Sequence, residues 1–177
     1  MTIDDIKAAL PDYARDLRLN LDSVLGEGGA PGLSLKQIHA VAIASALASR
    51  YQPLLQAIES LAAGTLSPEE INGAKAAAAM MGMTNVYYRF THLVSDPEYA
   101  KLRAGLRMNV MSNPGIDKVS FELASLAVSA INGCGMCMDS HEKTLRQHDF
   151  TAQAVQSAVR IGAVVHAVAV VAEQAAA

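Results

Sequence analysis

The chain has 177 residues, enough to bury one core, and 51% of them are apolar. Aromatics make up only 5%, there is no Trp, and the formal net charge is −3. A mildly acidic surface without basic clusters excludes nucleic acid and anionic membrane as the main partner. Abundant alanine with few aromatics favours closely packed helices over a sheet.

Thr2 with Asp5 forms a capping pair that opens a short helix over Ile3 to Leu10. The acidic start, Met1-Thr2-Ile3-Asp4-Asp5, is unlike a secretory signal, so the expectation is a soluble, cytoplasmic protein. Pro11 suits the first turn of a second helix, which ends before Gly26, and 26–32 is a Gly-rich loop. Ser34 caps a helix over Leu35 to Arg50, and Pro53 begins another that reaches about Ala63. Ser67-Pro68-Glu69-Glu70 is a strong start signal for a long helix to about Phe90, in which Gly82 marks close packing or a kink. Ser95-Asp96-Pro97 starts a short helix to about Leu102, and Asn113-Pro114-Gly115 is a turn.

Asp117 or Ser120 opens the next helix, which runs to Ile131, where Asn132-Gly133 breaks it. Cys134-Gly135-Met136-Cys137 then begins a helix to about Gln147, and Thr151 caps the last, to about Ala172. Within that last helix Ile161 to Ala172 is the most apolar stretch, too short to span a bilayer and interrupted by His166. No strand emerges. The expectation is an all-α protein, one compact domain over residues 1–177 with about eight to ten helices. A two-fold internal repeat fits the rhythm of the segments: Leu35 to Arg50 and Ser67 to Phe90 resemble Ser120 to Cys134 and Thr151 to Ala172. In that alignment Arg50 and Tyr51 stand roughly where the second half has its thiols.

Cys134 and Cys137 are the only two cysteines. In a reducing compartment a CxxC pair is seldom a permanent staple, so redox chemistry or metal binding is expected. At a helix N-terminus the free amides and the dipole favour thiolate, and a spacing of three lets the two sulfurs bond to each other. His141 lies on the same stripe, four residues past Cys137, where an imidazole can take a thiol proton or return one. Glu122 shares a helix stripe with Ser125 and Ser129 that leads toward Gly133. If that stripe packs on the CxxC helix, the carboxylate reaches and orients His141; otherwise Glu122 is a solvated surface residue. The alternative from the residues alone is zinc, held by Cys134, Cys137 and His141 with water or Glu122 as fourth ligand. His39 and His166 read as core or groove positions, and His92 and His148 as helix-end cations. Met80-Met81-Gly82-Met83 reads as adaptable core, or as the lining of a substrate pocket or oligomer seam.

Several segments together carry a family. Phe121-Glu122-Leu123, Ala127-Val128-Ser129-Ala130-Ile131-Asn132-Gly133-Cys134, Cys137 and His141-Glu142-Lys143-Thr144-Leu145-Arg146 resemble the alkylhydroperoxidase D family. This is a branch of the carboxymuconolactone decarboxylase-like superfamily. The likeness extends to Ala8-Ala9-Leu10-Pro11-Asp12-Tyr13-Ala14, Met81-Gly82-Met83-Thr84-Asn85-Val86-Tyr87-Tyr88-Arg89 and Gly105-Leu106-Arg107-Met108-Asn109. The resemblance implies a helical protomer assembled as a homotrimer, with a buried site reached through a narrow channel. It implies reduction of organic hydroperoxides and of an alkyl hydroperoxide reductase C-type peroxiredoxin, with no bound cofactor or metal. Electrons would come from dihydrolipoamide on a lipoyl-bearing acyltransferase. By motif position Cys137 would be the peroxidatic thiol that becomes sulfenic acid, and Cys134 the resolving thiol and proton donor. Glu122 and His141 would form the proton relay. One departure stands inside the motif: the family pattern has a histidine between the cysteines, and this chain has Met136, which relays no proton. That departure favours, as alternative, a dedicated peroxiredoxin disulfide reductase with little peroxidase activity; a zinc-binding helical module is a further one.

Overall fold

The structure, a computed structural model, describes residues 1–175. It contains eight α-helices and, among the described residues, no strand. These are α1 (Ile3–Ala9), α2 (Arg15–Val24), α3 (Leu35–Ser49), α4 (Gln52–Ala62), α5 (Pro68–Leu93), α6 (Lys118–Ile131), α7 (Gly135–Gln147) and α8 (Ala152–Ala175). Most starts are set by side-chain caps that satisfy amides the helix itself leaves free. Thr2 with Asp5, Ser34 with Gln37 and Ser67 with Glu70 each form a reciprocal capping box. Asp117, rather than Ser120, caps α6 by accepting from the Ser120 amide at 2.9 Å. Thr151 accepts from the Ala154 amide at the start of α8.

The core is built on α3 and α6, which lie against each other with α5 and α8 on their flanks. Residues Ile38 to Ala46 of α3 are all buried, as are Leu123 to Ser129 of α6. A helix apolar on all sides is stable only when covered on all sides, and this pair is. Small residues permit the close approach. A Cβ built on Gly162 of α8 would lie 3.3 Å from the Cβ of Ala127 in α6. Helix α7 rests on α6 and α5; α4 rests on α3 and α1, and α2 covers α8.

The repeat is visible as architecture. Helices α3, α4 and α5 have 15, 11 and 26 residues, and α6, α7 and α8 have 14, 13 and 24. The junctions correspond too. Arg50 (φ 65°) and Gly133 (φ 67°) are both left-handed, and the next residues, Tyr51 and Cys134, cap the following helices with nearly the same backbone angles. Tyr51 therefore matches Cys134, whereas Arg50 matches Gly133 and not a thiol.

Several sequence expectations are corrected. Pro11 precedes a 3-10 turn (Asp12–Ala14) in extended conformation, so the second helix starts only at Arg15. Gly82 lies inside an unbroken α5 and makes no close approach; nothing lies within 4 Å of a Cβ built there. The segment after Asp96 forms only a 3-10 turn (Tyr99–Lys101), because the Asp96 carboxylate accepts from the Glu98 amide and supports a local turn instead of a helix. Helix α8 has 24 residues and is long and apolar enough to cross a membrane by length and composition. It packs into the core instead, burying Ile161, Val165, Val168, Ala169 and Ala172.

Gly162→Val tests the α6–α8 contact. Overpacking of this kind costs about 1–3 kcal/mol. The urea midpoint should fall with an unchanged slope in an equilibrium unfolding experiment.

Candidate active site

Helix α6 ends in a Schellman turn: the Cys134 amide donates to Ser129 O (3.0 Å) and the Gly133 amide to Ala130 O (3.2 Å). This reversal makes Cys134 the residue that precedes the first turn of α7 and puts Cys137 at its third position. The first-turn amides of α7 have no side-chain cap, and the positive end of the helix dipole lies at the pair. Cys134 and Cys137 are joined as a disulfide, with Cα atoms 5.4 Å apart.

The two sulfurs have different surroundings. Cys134 is completely buried, at 0% exposure, and Cys137 is 7% exposed. Only Cys137 faces a cavity of about 410 Å³, lined also by Met81, Thr84, Tyr88, Met108, Met111, Met136, Ser140 and His141. Met108 and Met111 come from the long connection 94–117, whose 3-10 turn at Asn109–Ser112 sets them over the cavity. Met136, between the cysteines, is 39% exposed and forms part of the rim.

His141 is buried one turn below Cys137, with its Nδ1 2.6 Å from Oε2 of Glu122. The α6 stripe therefore packs on α7, and Glu122 is largely buried rather than solvated. On its other side, His141 Nε2 lies 3.2 Å from Sδ of Met81. Ser129 Oγ donates to the same sulfur and accepts from Asn85 Nδ2 at 2.9 Å. Asn132 Nδ2 donates to Asn85 Oδ1, and the Arg89 guanidinium donates to Asn132 O. A polar network thus runs from the end of α6 through α5 to the imidazole.

Cys134, Cys137 and His141 are not arranged as a metal donor set: the sulfurs bond each other and both ring nitrogens have other neighbours. Among the described residues no group of three or more His, Cys, Asp or Glu is placed to hold a metal ion.

Comparison with known proteins gives the family. The Carboxymuconolactone decarboxylase family model matches residues 97–177. The chain is 54% identical over 168 residues to alkyl hydroperoxide reductase AhpD of Streptomyces avermitilis, covering 95% of this chain and 93% of that protein. It is 53% identical over 171 residues to AhpD of Rhizorhabdus wittichii, with 97% of each chain covered. With AhpD of Brucella suis it shares 50% over 175 residues, covering 99% of this chain and 98% of the relative.

The chain belongs to the AhpD family of alkyl hydroperoxide reductases.

Within this AhpD scaffold the remaining histidines stand away from the cavity lining. His39 is buried in α3, with Nδ1 2.5 Å from Thr65 Oγ1, and burial pushes its imidazole below the ordinary value. His166 lies 3.1 Å from Ser49 Oγ. Met81 lines the cavity, as the methionine cluster allowed; its contact with His141 and the parts played by Asn85 and Asn132 have no mark in the spacing of the sequence. Their signal was a buried polar residue, Asn85, inside a long helix, since such a group requires a partner.

The unequal exposure has a direct consequence. After reduction, brief iodoacetamide treatment should label Cys137 well before Cys134, as read by peptide mass spectrometry.

Proposed function

We propose that this protein is a thiol-dependent peroxidase and disulfide reductase. It reduces organic hydroperoxides at the Cys134–Cys137 centre and passes electrons from protein-linked dihydrolipoamide to an AhpC-type peroxiredoxin. The supporting observation is the asymmetric pair: Cys137 opens onto an apolar cavity beside a Glu122–His141 pair, and Cys134 is buried at bonding distance behind it.

In this reading Glu122 and His141 draw the proton from Cys137. The thiolate attacks the distal hydroperoxide oxygen, forming the S–O bond as the O–O bond breaks. The sulfur is oxidised by two electrons and the peroxide is reduced by two. The leaving alkoxide takes its proton from the relay or from Cys134. Cys134 then attacks the sulfenic acid, expels water and closes the disulfide. A dithiol reopens it by exchange. The methionine lining suits long, flexible apolar tails, because the thioether side chain adapts to irregular shapes. No bound cofactor takes part.

The whole chain acts as one domain in the cytoplasm and assembles as a homotrimer. Val86, Phe90 and Leu93 form an exposed apolar stripe along one face of α5, which supports self-association. Met136 supports a second reading, a dedicated peroxiredoxin disulfide reductase with weak peroxidase activity. A histidine at this half-exposed rim position would carry protons that methionine cannot.

Turnover of cumene hydroperoxide with dihydrolipoamide decides between the two. Cys137→Ser should abolish both peroxide consumption and thiol exchange. Cys134→Ser should leave a dimedone-reactive sulfenic acid on Cys137 after a single turnover. Met136→His should raise peroxide turnover. Fast thiol exchange with negligible peroxide consumption in the parent favours the second reading.

The relay is tested separately by Glu122→Gln. Loss of one acid–base partner should slow peroxide reduction on the order of 10²-fold and move the pH–rate profile to higher pH. An unchanged profile removes Glu122 from the relay.

A further inference from the structure

The Met81 sulfur has more polar neighbours than a core methionine needs. It is 2% exposed, yet His141 Nε2 (3.2 Å), Ser129 Oγ (3.4 Å) and Asn85 Nδ2 (3.6 Å) all converge on it. Thr84 Oγ1 is also 3.6 Å away, but its one proton is engaged by Met80 O at 2.9 Å. A thioether only accepts hydrogen bonds. The directions are therefore fixed along the network. The Asn85 amide donates to Ser129 Oγ, the Ser129 proton goes on to the sulfur, and Nε2 of His141 has an attractive contact only when it carries a proton.

We propose that Met81 is a positioning residue for His141: its Sδ accepts from Nε2–H and so favours the state in which the imidazole holds the proton taken from Cys137. This inference rests on the thiol-peroxidase reading and deepens it.

The argument is one of two competing ring states. With Glu122 facing Nδ1 at 2.6 Å, a neutral imidazole with its proton on Nδ1 turns the Nε2 lone pair toward the sulfur lone pairs. That contact is repulsive. A proton that reaches Nε2 replaces the repulsion with a donor–acceptor contact, and where Cys137 supplies it across the shared cavity, thiolate is left at the N-terminus of α7. The same proton leaves with the alkoxide when the O–O bond breaks, so the step is balanced without any further donor. The titratable groups facing His141 are Glu122 from α6, Cys137 from α7 and Tyr88 from α5 across the cavity. The connection 94–117 contributes only Met108 and Met111 to that lining.

Leucine at position 81 keeps the volume and removes the acceptor, and glutamine keeps an acceptor at similar reach. In Met81→Leu the rate of Cys137 alkylation against pH should shift upward by up to about one unit, and alkylation at neutral pH should slow by up to about tenfold. Met81→Gln should keep the parent midpoint or lower it. Nitrogen-15 NMR of the His141 ring in the unsubstituted protein should show a protonated Nε2 at neutral pH. Equal midpoints for the Leu and Gln variants, or an unprotonated Nε2 in the parent, overturn the proposal. Absence of peroxide turnover in the parent, with the NMR signature intact, sinks the peroxidase reading and leaves the Met81 contact standing.

Discussion

The left-handed turn at Gly133 reverses the chain between α6 and α7, and each functional side chain takes its place from that reversal. A residue with a Cβ in this conformation costs about 1–2 kcal/mol. Nothing lies within 4 Å of a Cβ built on Gly133, so glycine is required here by its φ of 67° and not by lack of space. The turn places Cys134 at the entry to α7, which puts Cys137 in the first turn and His141 one turn deeper. It also folds α7 back along α6, and that brings Glu122, nine residues before the end of its helix, against a histidine six residues after the start of the next.

Burying a charged or polar pair is costly unless each group finds a partner. The chain satisfies this demand with residues from three helices. Glu122 and Ser129 belong to α6, Met81 and Asn85 to α5, and His141 to α7. Because the partners are spread over three elements, the imidazole cannot turn without disturbing all of them. Such a network rigidifies the site. Four methionines line the cavity beside it, so the held polar network meets an adaptable apolar face at the Cys137 sulfur.

Local chemistry makes much of this readable in the sequence. Caps at Thr2, Ser34, Ser67 and Thr151 act within one turn of chain, so their sequence marks are short and reliable. The CxxC pair and His141 also lie on one helix face, where spacing alone implies proximity. Glu122 was harder, because its role depends on which face of α6 meets α7, and spacing leaves a solvated glutamate open. Met81 was not legible as a partner of His141: the two are 60 residues apart, and a thioether in an Ala-rich helix looks like filler. In the connection 94–117, at Ser95-Asp96-Pro97, a local side-chain turn competes with the helix that the same residues would start, and spacing does not show which prevails.

The repeated architecture explains why one chain carries one such centre and not two. Counting from the matched caps, Leu54 occupies the place of Cys137 and Ile58 that of His141. Both are fully buried. The place of Glu122 falls on His39, whose burial favours the neutral ring and whose Nδ1 neighbour is the Thr65 hydroxyl and not a carboxylate. At the corresponding turn Arg50 accepts the left-handed strain that Gly133 avoids. The first half thus keeps the backbone of the site and gives its positions to the core, since a second buried polar set would need its own partners from neighbouring helices. The face of α4 that carries Leu54 and Ile58 is core, whereas the matching face of α7 carries the cavity and the reducible bond.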